Sequence, residues 1–269
     1  MTSPWPPDPA SPSSPPPSTP VVAATTDDEP APPPAAPKKT KPGVPKWEAQ
    51  VRDRLRHAIR KLSKPLEELV SRDANEGDTR HLVTDLLVDG LGYDKYEDLT
   101  TEYQVKVDFA DYGVRIDKQL VAFVEVKRCT QKLNEKHLRQ VQMYAVNEGV
   151  EWMMLTNGQV WQAYHLTGGL PVIVDMALEV DLLAEVPLGD KVGGLFFLTK
   201  ESLKRRQIDD LWAQVKATSP QMLAQVVLSD PVVEAIRKEL RRQTGQRVEC
   251  DEVRSLLSDT VLRADALEQ

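Results

Sequence analysis

Hydrophobic residues recur at two spacings after about residue 46, and each spacing predicts one kind of element. A spacing of three to four residues predicts helices over 47–69, 75–91 and 131–146. Alternating or continuous β-branched runs predict strands over 102–107, 151–156 and 159–165 and a β-hairpin over 107–128. After a loop around 187–194 the spacing is helical again, over 200–216, 221–228, 232–243 and 251–262. This order predicts an α/β fold, a mixed β-sheet flanked by helices, with a C-terminal helical region.

Composition separates the N-terminal part from the rest. The first 45 residues contain 16 of the 21 prolines and almost no large apolar side chains. Such a tract buries too little surface to offset its ordering entropy, so we predict a disordered Pro-rich tail over 1–45. We expect the sheet domain over 46–190 and the helical region over 191–269. The tail lacks the pattern of a secretory signal and no later run approaches bilayer length, so we expect a cytoplasmic protein.

Charge and cysteine content restrict the function only weakly. The net charge of −7 does not indicate a nucleic-acid binder. Enzymes that cut DNA can nevertheless be acidic overall, because their carboxylates bind metal while basic residues cluster locally. Cys129 and Cys250 lie far apart without metal-type spacing, and we expect two reduced thiols.

The second strand of the predicted hairpin combines apolar residues with two charges. The run from Leu120 to Val126 is apolar on both faces, which is typical of a central, buried strand. Glu125 and Lys127 are two residues apart and therefore project from the same face. Charges at such a position are costly unless they are paired or bound to an ion. The sequence leaves both explanations open, a structural ion pair and a metal site.

The register of this hairpin decides which other group joins the two charges. A three-residue turn at Asp117-Lys118-Gln119 would pair Ile116 with Leu120. The same register sets Asp111 directly opposite Glu125, with Cβ atoms about 5 Å apart. A slip of one residue would turn Asp111 to the other face. The register is therefore part of the prediction.

Phosphodiester hydrolysis accounts for these residue types. The carboxylates of Asp111 and Glu125 would hold one or two Mg²⁺ (or Mn²⁺) ions, joined by the main-chain carbonyl of Val126. The ion would polarise the phosphate and lower the pKa of a bound water. Lys127 would position that water and stabilise charge in the transition state.

Several short motifs, in a fixed order, resemble a known family. They are Asn75-Glu76 with Thr79-Arg80, Leu91-Gly92-Tyr93, Asp111-Tyr112, Glu125-Val126-Lys127-Arg128, Gln140-x-x-x-Tyr144 and Leu155-Thr156-Asn157-Gly158. Through them residues 47–165 resemble the N-terminal nuclease domain of type I restriction enzyme R subunits, within the PD-(D/E)XK superfamily. The resemblance implies a restriction-endonuclease-like fold and DNA as the substrate.

The resemblance also implies roles for individual residues. Asp111 and Glu125 correspond to the metal-binding acids of these nucleases, and Lys127 to their catalytic lysine. Glu76 corresponds to the acid on the first helix. By its position alone, Glu76 would be expected only to complement the helix dipole.

One further motif matches the family, and two features of the sequence depart from it. Gln140 and Tyr144 correspond to the Gln-x-x-x-Tyr motif on the DNA-facing helix, and residues four apart do share a helix face. Without the resemblance we would interpret both as ordinary surface side chains. Residue 110 is Ala where Pro is common in the superfamily. The sequence also contains no Gly-x-x-x-x-Gly-Lys-Ser/Thr phosphate loop, so we expect a stand-alone nuclease-like module without an ATP-driven motor.

The sequence therefore predicts a Mg²⁺-dependent DNA endonuclease, a hydrolase acting in restriction-modification, phage defence or repair. Its expected partners are DNA and either a second copy of itself or a restriction-system motor subunit, with no membrane. The alternative, of another class, is a DNA-binding or accessory interaction module that keeps the nuclease fold without turnover. Divalent-ion binding that depends on Asp111 and Glu125 distinguishes the two hypotheses.

Overall fold

The computed structural model describes residues 44–169 and 171–266, and the described chain begins with a long amphipathic helix. Helix α1, Lys46–Ser71, buries one apolar stripe and continues through Pro65. Helix α2, Glu76–Asp85, starts at Asn75, whose side chain accepts a hydrogen bond from the Asp78 amide. The predicted disordered tail, apart from its last two residues, lies outside the described part of the chain.

The helix predicted over 75–91 ends differently from a regular α-helix. Its last turn, Leu86–Gly90, is a π-helical turn. The chain then leaves the helix through Gly92, whose φ of 81° lies in the left-handed region that favours glycine.

Six strands form one mixed sheet in which sequential strands are neighbours. They are β1 Leu99–Val105, β2 Asp108–Ile116, β3 Gln119–Val126, β4 Trp152–Thr156, β5 Val160–Thr167 and β6 Ile173–Asp181. Every neighbouring pair is antiparallel except β3 and β4, which are parallel and are joined through helix α3, Glu135–Glu148. Parallel neighbours need such a crossover connection. The predicted α/β fold with a mixed sheet is confirmed.

The C-terminal part of the described chain is helical, as predicted. Its helices are α4 Leu188–Phe196, α5 Lys200–Lys204, α6 Gln207–Ala217, α7 Pro220–Val227, α8 Asp230–Thr244 and α9 Cys250–Leu256, followed by a π-helical turn at Leu257–Val261 and a short 3₁₀ turn at Ala264–Ala266. Helix α4 occupies most of the predicted loop around 187–194. Within the described ranges, no helix is both long enough and apolar enough to cross a bilayer.

The sheet has a separate apolar core on each face. One core contains the buried stripes of α1, α2 and α4 together with Val124 and Val126 of β3. The other contains the buried side of α3 together with Phe123. Because successive strand residues point to opposite faces, Glu125 shares the α3 face with Phe123. The candidate acid therefore lies between the sheet and α3.

Candidate functional site

The turn of the β2–β3 hairpin has two residues where three were predicted. Asp117 and Lys118 both have positive φ, 50° and 70°, and Ile116 pairs with Gln119. Two central residues with positive φ are typical of a type I′ hairpin turn. The predicted pairing of Ile116 with Leu120 is therefore wrong.

A β-bulge restores the predicted register beyond the turn. Val121 is the extra residue, because Leu120 pairs with Arg115 while Ala122 pairs with Val114. The pairing then continues to Tyr112 opposite Val124. The next step of the same register places Asp111 opposite Glu125, as the sequence predicted from a different turn.

Asp111 is buried, and both of its carboxylate oxygens have partners. Its side chain accepts a hydrogen bond at Oδ2 from the Val126 amide, at 2.7 Å. Its Oδ1 is paired with the guanidinium of Arg80. Burial raises the pKa of the Asp111 carboxyl, while the amide and the guanidinium favour its charged form. The carboxylate is thus fixed at the end of β3, facing a cation.

Glu125 is only 2% exposed and is bonded through a single oxygen. Its Oε1 accepts a hydrogen bond from Lys127 Nζ at 2.6 Å. Its Oε2 is buried and has no hydrogen-bond partner among the described residues. Burial, and then the negative charge of Asp111, raise the pKa of Glu125 to about 7. A buried carboxylate oxygen without a partner is costly, and a bound cation would remove that cost.

A chain of hydrogen bonds connects this strand to α3. Lys127 Nζ donates a second hydrogen bond to Gln140 Oε1 at 3.1 Å, and Gln140 Nε2 donates to the Tyr144 hydroxyl at 3.0 Å. Tyr144 is buried, and its ring packs edge-on against Phe123 with centroids 6.2 Å apart. The lysine is therefore held from two sides, by a carboxylate on β3 and by an amide on α3.

Glu76 lies at the edge of the site and is linked to it through Arg80. Its Oε1 is 4.0 Å from Arg80 Nη2, and its side chain is 45% exposed. The described contacts join it to this arginine and to neither Asp111 nor Glu125. Its charge nevertheless adds to the effect of burial in raising the pKa of Asp111.

Sequence reasoning missed three residues that the fold brings to the site. Arg80 entered only as part of a matching motif, although it lies four residues after Glu76 and so shares its helix face. Glu102 contacts Arg80 from β1, which no sequence pattern indicated. His137 belongs to none of the matching motifs; it is buried one helical turn before Gln140, and burial lowers its pKa.

The donor atoms fit a hard divalent cation. Across residues 44–169 and 171–266 no three His, Cys, Asp or Glu side chains form a cluster that would hold an ion. Mg²⁺, however, usually keeps several waters and binds through one or two carboxylates. Glu125 Oε2 provides one buried oxygen without a partner, and Asp111 provides a second carboxylate on the neighbouring strand. Two oxygen donors of this kind suit Mg²⁺ or Mn²⁺ better than softer metals.

The fold defines the class of this protein, an α/β protein with a six-stranded mixed sheet flanked by helices and a C-terminal helical region. The family model described as the type I restriction enzyme R protein N terminus matches residues 75–171, which is somewhat more than a third of the chain. The match includes every candidate site residue, and it confirms the resemblance predicted from the motifs. Comparisons with the curated proteins and with the solved structures give no significant match.

Proposed function

We propose that this protein is a divalent-cation-dependent DNA endonuclease. The observation that carries the proposal is the grouping of two buried carboxylates on neighbouring strands, Asp111 and Glu125, with the half-buried Lys127 just after β3, while Glu125 Oε2 has no hydrogen-bond partner among the described residues. The family match over 75–171 supports a restriction-type nuclease domain. We further propose Mg²⁺ or Mn²⁺ as the cofactor.

Each residue of the site has a defined task in this proposal. Asp111 and Glu125 would hold the ion, with the Val126 carbonyl as a third ligand, and the ion would supply Lewis acidity and a water of lowered pKa. Lys127 would donate to the attacking water or to a phosphate oxygen, where its charge stabilises the transition state. Gln140 keeps the ammonium group in place through its 3.1 Å hydrogen bond.

DNA is the substrate we propose, because the segment beside the site carries exposed positive charge. Lys132 and Lys136 are exposed on the connection between β3 and α3 and on the first turn of α3. Contacts between such lysines and phosphates position a nucleic acid without reading its sequence. We also propose a motor subunit of a restriction system as a partner, because the matching family is the N terminus of a type I restriction enzyme subunit.

The test is cleavage of plasmid DNA by the purified full chain in the presence of Mg²⁺ or Mn²⁺. Lys127→Ala should lower the cleavage rate by about 10²-fold or more, the usual loss when one transition-state donor is removed. The matched control is Lys118→Ala, which removes an exposed lysine from the turn of the same hairpin and should leave the rate unchanged. Cleavage that persists equally in both variants would sink the proposal.

A second candidate is a DNA-binding or accessory module without turnover. The observation that favours it is that the charges of Asp111 and Lys127 are already paired with other charged groups of the protein. DNA binding without Mg²⁺-dependent cleavage, in wild-type protein that binds the ion, would support this candidate over the nuclease.

A further inference from the structure

Arg80 is surrounded by three carboxylates that come from three different elements. Its Nη2 pairs with Asp111 Oδ1 on β2 and lies 4.0 Å from Glu76 Oε1 on its own helix. Its Nη1 lies 3.6 Å from Glu102 Oε1 on β1. Its Nε is buried and has no hydrogen-bond partner in the described part of the chain. The guanidinium is therefore shared among acids and not fully bonded by any of them.

The backbone around Glu102 is arranged so that its side chain reaches this arginine. Thr101 pairs with Tyr112 and Tyr103 pairs with Ala110, which sets Glu102 opposite Asp111 between the two pairs. Glu102 has a φ of 49°, a left-handed conformation that is sparsely populated by residues other than glycine. Such conformations persist where the surrounding structure requires them, and they are concentrated at functional sites. Here the conformation interrupts the ladder beside Asp111.

The position of Arg80 sets up a competition for one oxygen atom. The guanidinium of Arg80 presents a cation to Asp111 Oδ1. A divalent ion held by Asp111 and Glu125 would need that carboxylate, and its charge would repel the guanidinium. The two cations therefore exclude one another unless Arg80 moves. Glu102, whose side chain is 73% exposed, offers an acceptor on the side away from Glu125.

We propose that Arg80 is a positioning residue that competes with the divalent ion for Asp111 and is drawn toward Glu102 when the ion binds. This inference rests on the proposed function, because it concerns the same metal site. It assigns Arg80 a specific effect, which is to weaken metal binding while holding the carboxylates together in the absence of the ion. An arginine that served only to support the fold would have the opposite effect, because its loss would loosen the metal ligands.

The test is calorimetric titration of the full chain with Mn²⁺ alone. Arg80→Met should bind Mn²⁺ about tenfold or more tightly than wild type, the change expected when an opposite charge within about 4–6 Å of a carboxylate is removed. Arg80→Lys keeps the charge and should remain near wild type. The matched control is Arg72→Met, which removes an exposed arginine paired with Asp78 just outside the site and should leave the affinity unchanged.

A second variant tests the competition from the other side and does not disturb the buried site. Glu102→Gln removes the negative charge of the alternative acceptor and should weaken Mn²⁺ binding roughly two- to fivefold, the scale of an exposed ion pair. In the Arg80→Met background the same substitution should have no effect, because the group that Glu102 acts on is gone.

The outcomes separate this inference from the proposed function. Tighter binding in Arg80→Met, with an effect of Glu102→Gln only when Arg80 is present, supports the competition. If Arg80→Met binds Mn²⁺ with an affinity equal to or lower than that of wild type, the inference is overturned, while the proposed metal site is unaffected. No Mn²⁺ binding in either protein would overturn both. Should Arg80→Met fail to fold, Glu102→Gln alone decides, and an affinity equal to that of wild type counts against the competition.

Discussion

At the scale of single residues, Glu125 is the least satisfied group of the site. It is 2% exposed, and its partner Lys127 donates a hydrogen bond to only one of its two carboxylate oxygens. Burial and the charge of Asp111 raise its pKa to about 7, whereas the same side chain in the unfolded chain titrates near its ordinary value of 4.5. At a pH between these two values, the folded protein therefore retains a proton on Glu125 that the unfolded chain has lost.

This difference predicts a specific dependence of stability on pH. Between about pH 4.5 and pH 7 the native state binds more protons than the unfolded state, so the free energy of unfolding falls as pH rises. The penalty reaches about 3 kcal/mol once the pH exceeds the folded pKa. With a chelator present, urea unfolding from about pH 5 to pH 8 should therefore show wild type losing stability relative to Glu125→Gln.

The control for this measurement is Glu135→Gln, which removes a carboxylate whose side chain is 87% exposed. Its stability difference from wild type should stay constant over the same pH range. If the Glu125→Gln difference also stays constant, the carboxyl does not titrate as its burial requires. Added Mg²⁺ should reverse the trend, because the ion binds the charged carboxylate and its stabilisation grows as pH rises through the same range.

At the scale of elements, strand β2 carries Asp111 and, two residues later, Gly113, where two neighbouring side chains pack closely against the backbone. A Cβ on Gly113 would lie 2.6 Å from Tyr103 Cδ2 and 3.1 Å from Leu120 Cδ1. The Tyr103 ring covers this position and packs edge-on against Phe123, with centroids 5.4 Å apart. The close approach of Tyr103 to β2 therefore depends on the absence of a side chain at Gly113.

Gly113→Ala should accordingly destabilise the protein by about 1–3 kcal/mol, because the ring and its neighbours must shift to admit a methyl group. Urea or thermal unfolding measures the change. The matched control is Gly193→Ala inside α4, where a Cβ meets no atom within 4 Å. That substitution should stabilise by roughly 0.5–1 kcal/mol through helix propensity. Equal effects of the two substitutions would contradict the close packing at β2.

The same elements show what the sequence alone was able to predict. Periodicity located the two helices before the sheet, the hairpin and α3, because each has a long apolar stripe or run. It missed β6, an edge strand with polar residues among its apolar ones, and α4, whose adjacent Gly193 and Gly194 suggested a loop. Residues far apart in sequence, such as Arg80 and Glu102, meet only through the fold.

The hairpin shows a prediction that was right for the wrong reason. The sequence predicts a three-residue turn, whereas Asp117 and Lys118 form a two-residue turn and Val121 is bulged. Both arrangements lead to the same register at Asp111. Local propensity did not reveal the bulge, because Val121 belongs to an uninterrupted apolar run in the sequence.

At the scale of the molecule, the described fold has two apolar cores, one packed against each face of the sheet. The core formed with α1, α2 and α4 holds the sheet from one face. The core formed with α3 lies on the other face, where Glu125, Lys127, Gln140 and Tyr144 are linked. The polar chain is thus supported by packed elements on both sides, which is how a fold keeps a site in one geometry.

The central claim is that Asp111 and Glu125 form a site for a divalent cation, and calorimetric titration with Mg²⁺ and Mn²⁺ tests it most directly. Wild type should bind the ion, and Asp111→Asn and Glu125→Gln should each weaken binding by about tenfold or more. Asp117→Asn, which removes an exposed carboxylate from the hairpin turn, should bind as wild type does. Equal affinities in all four proteins would contradict the account.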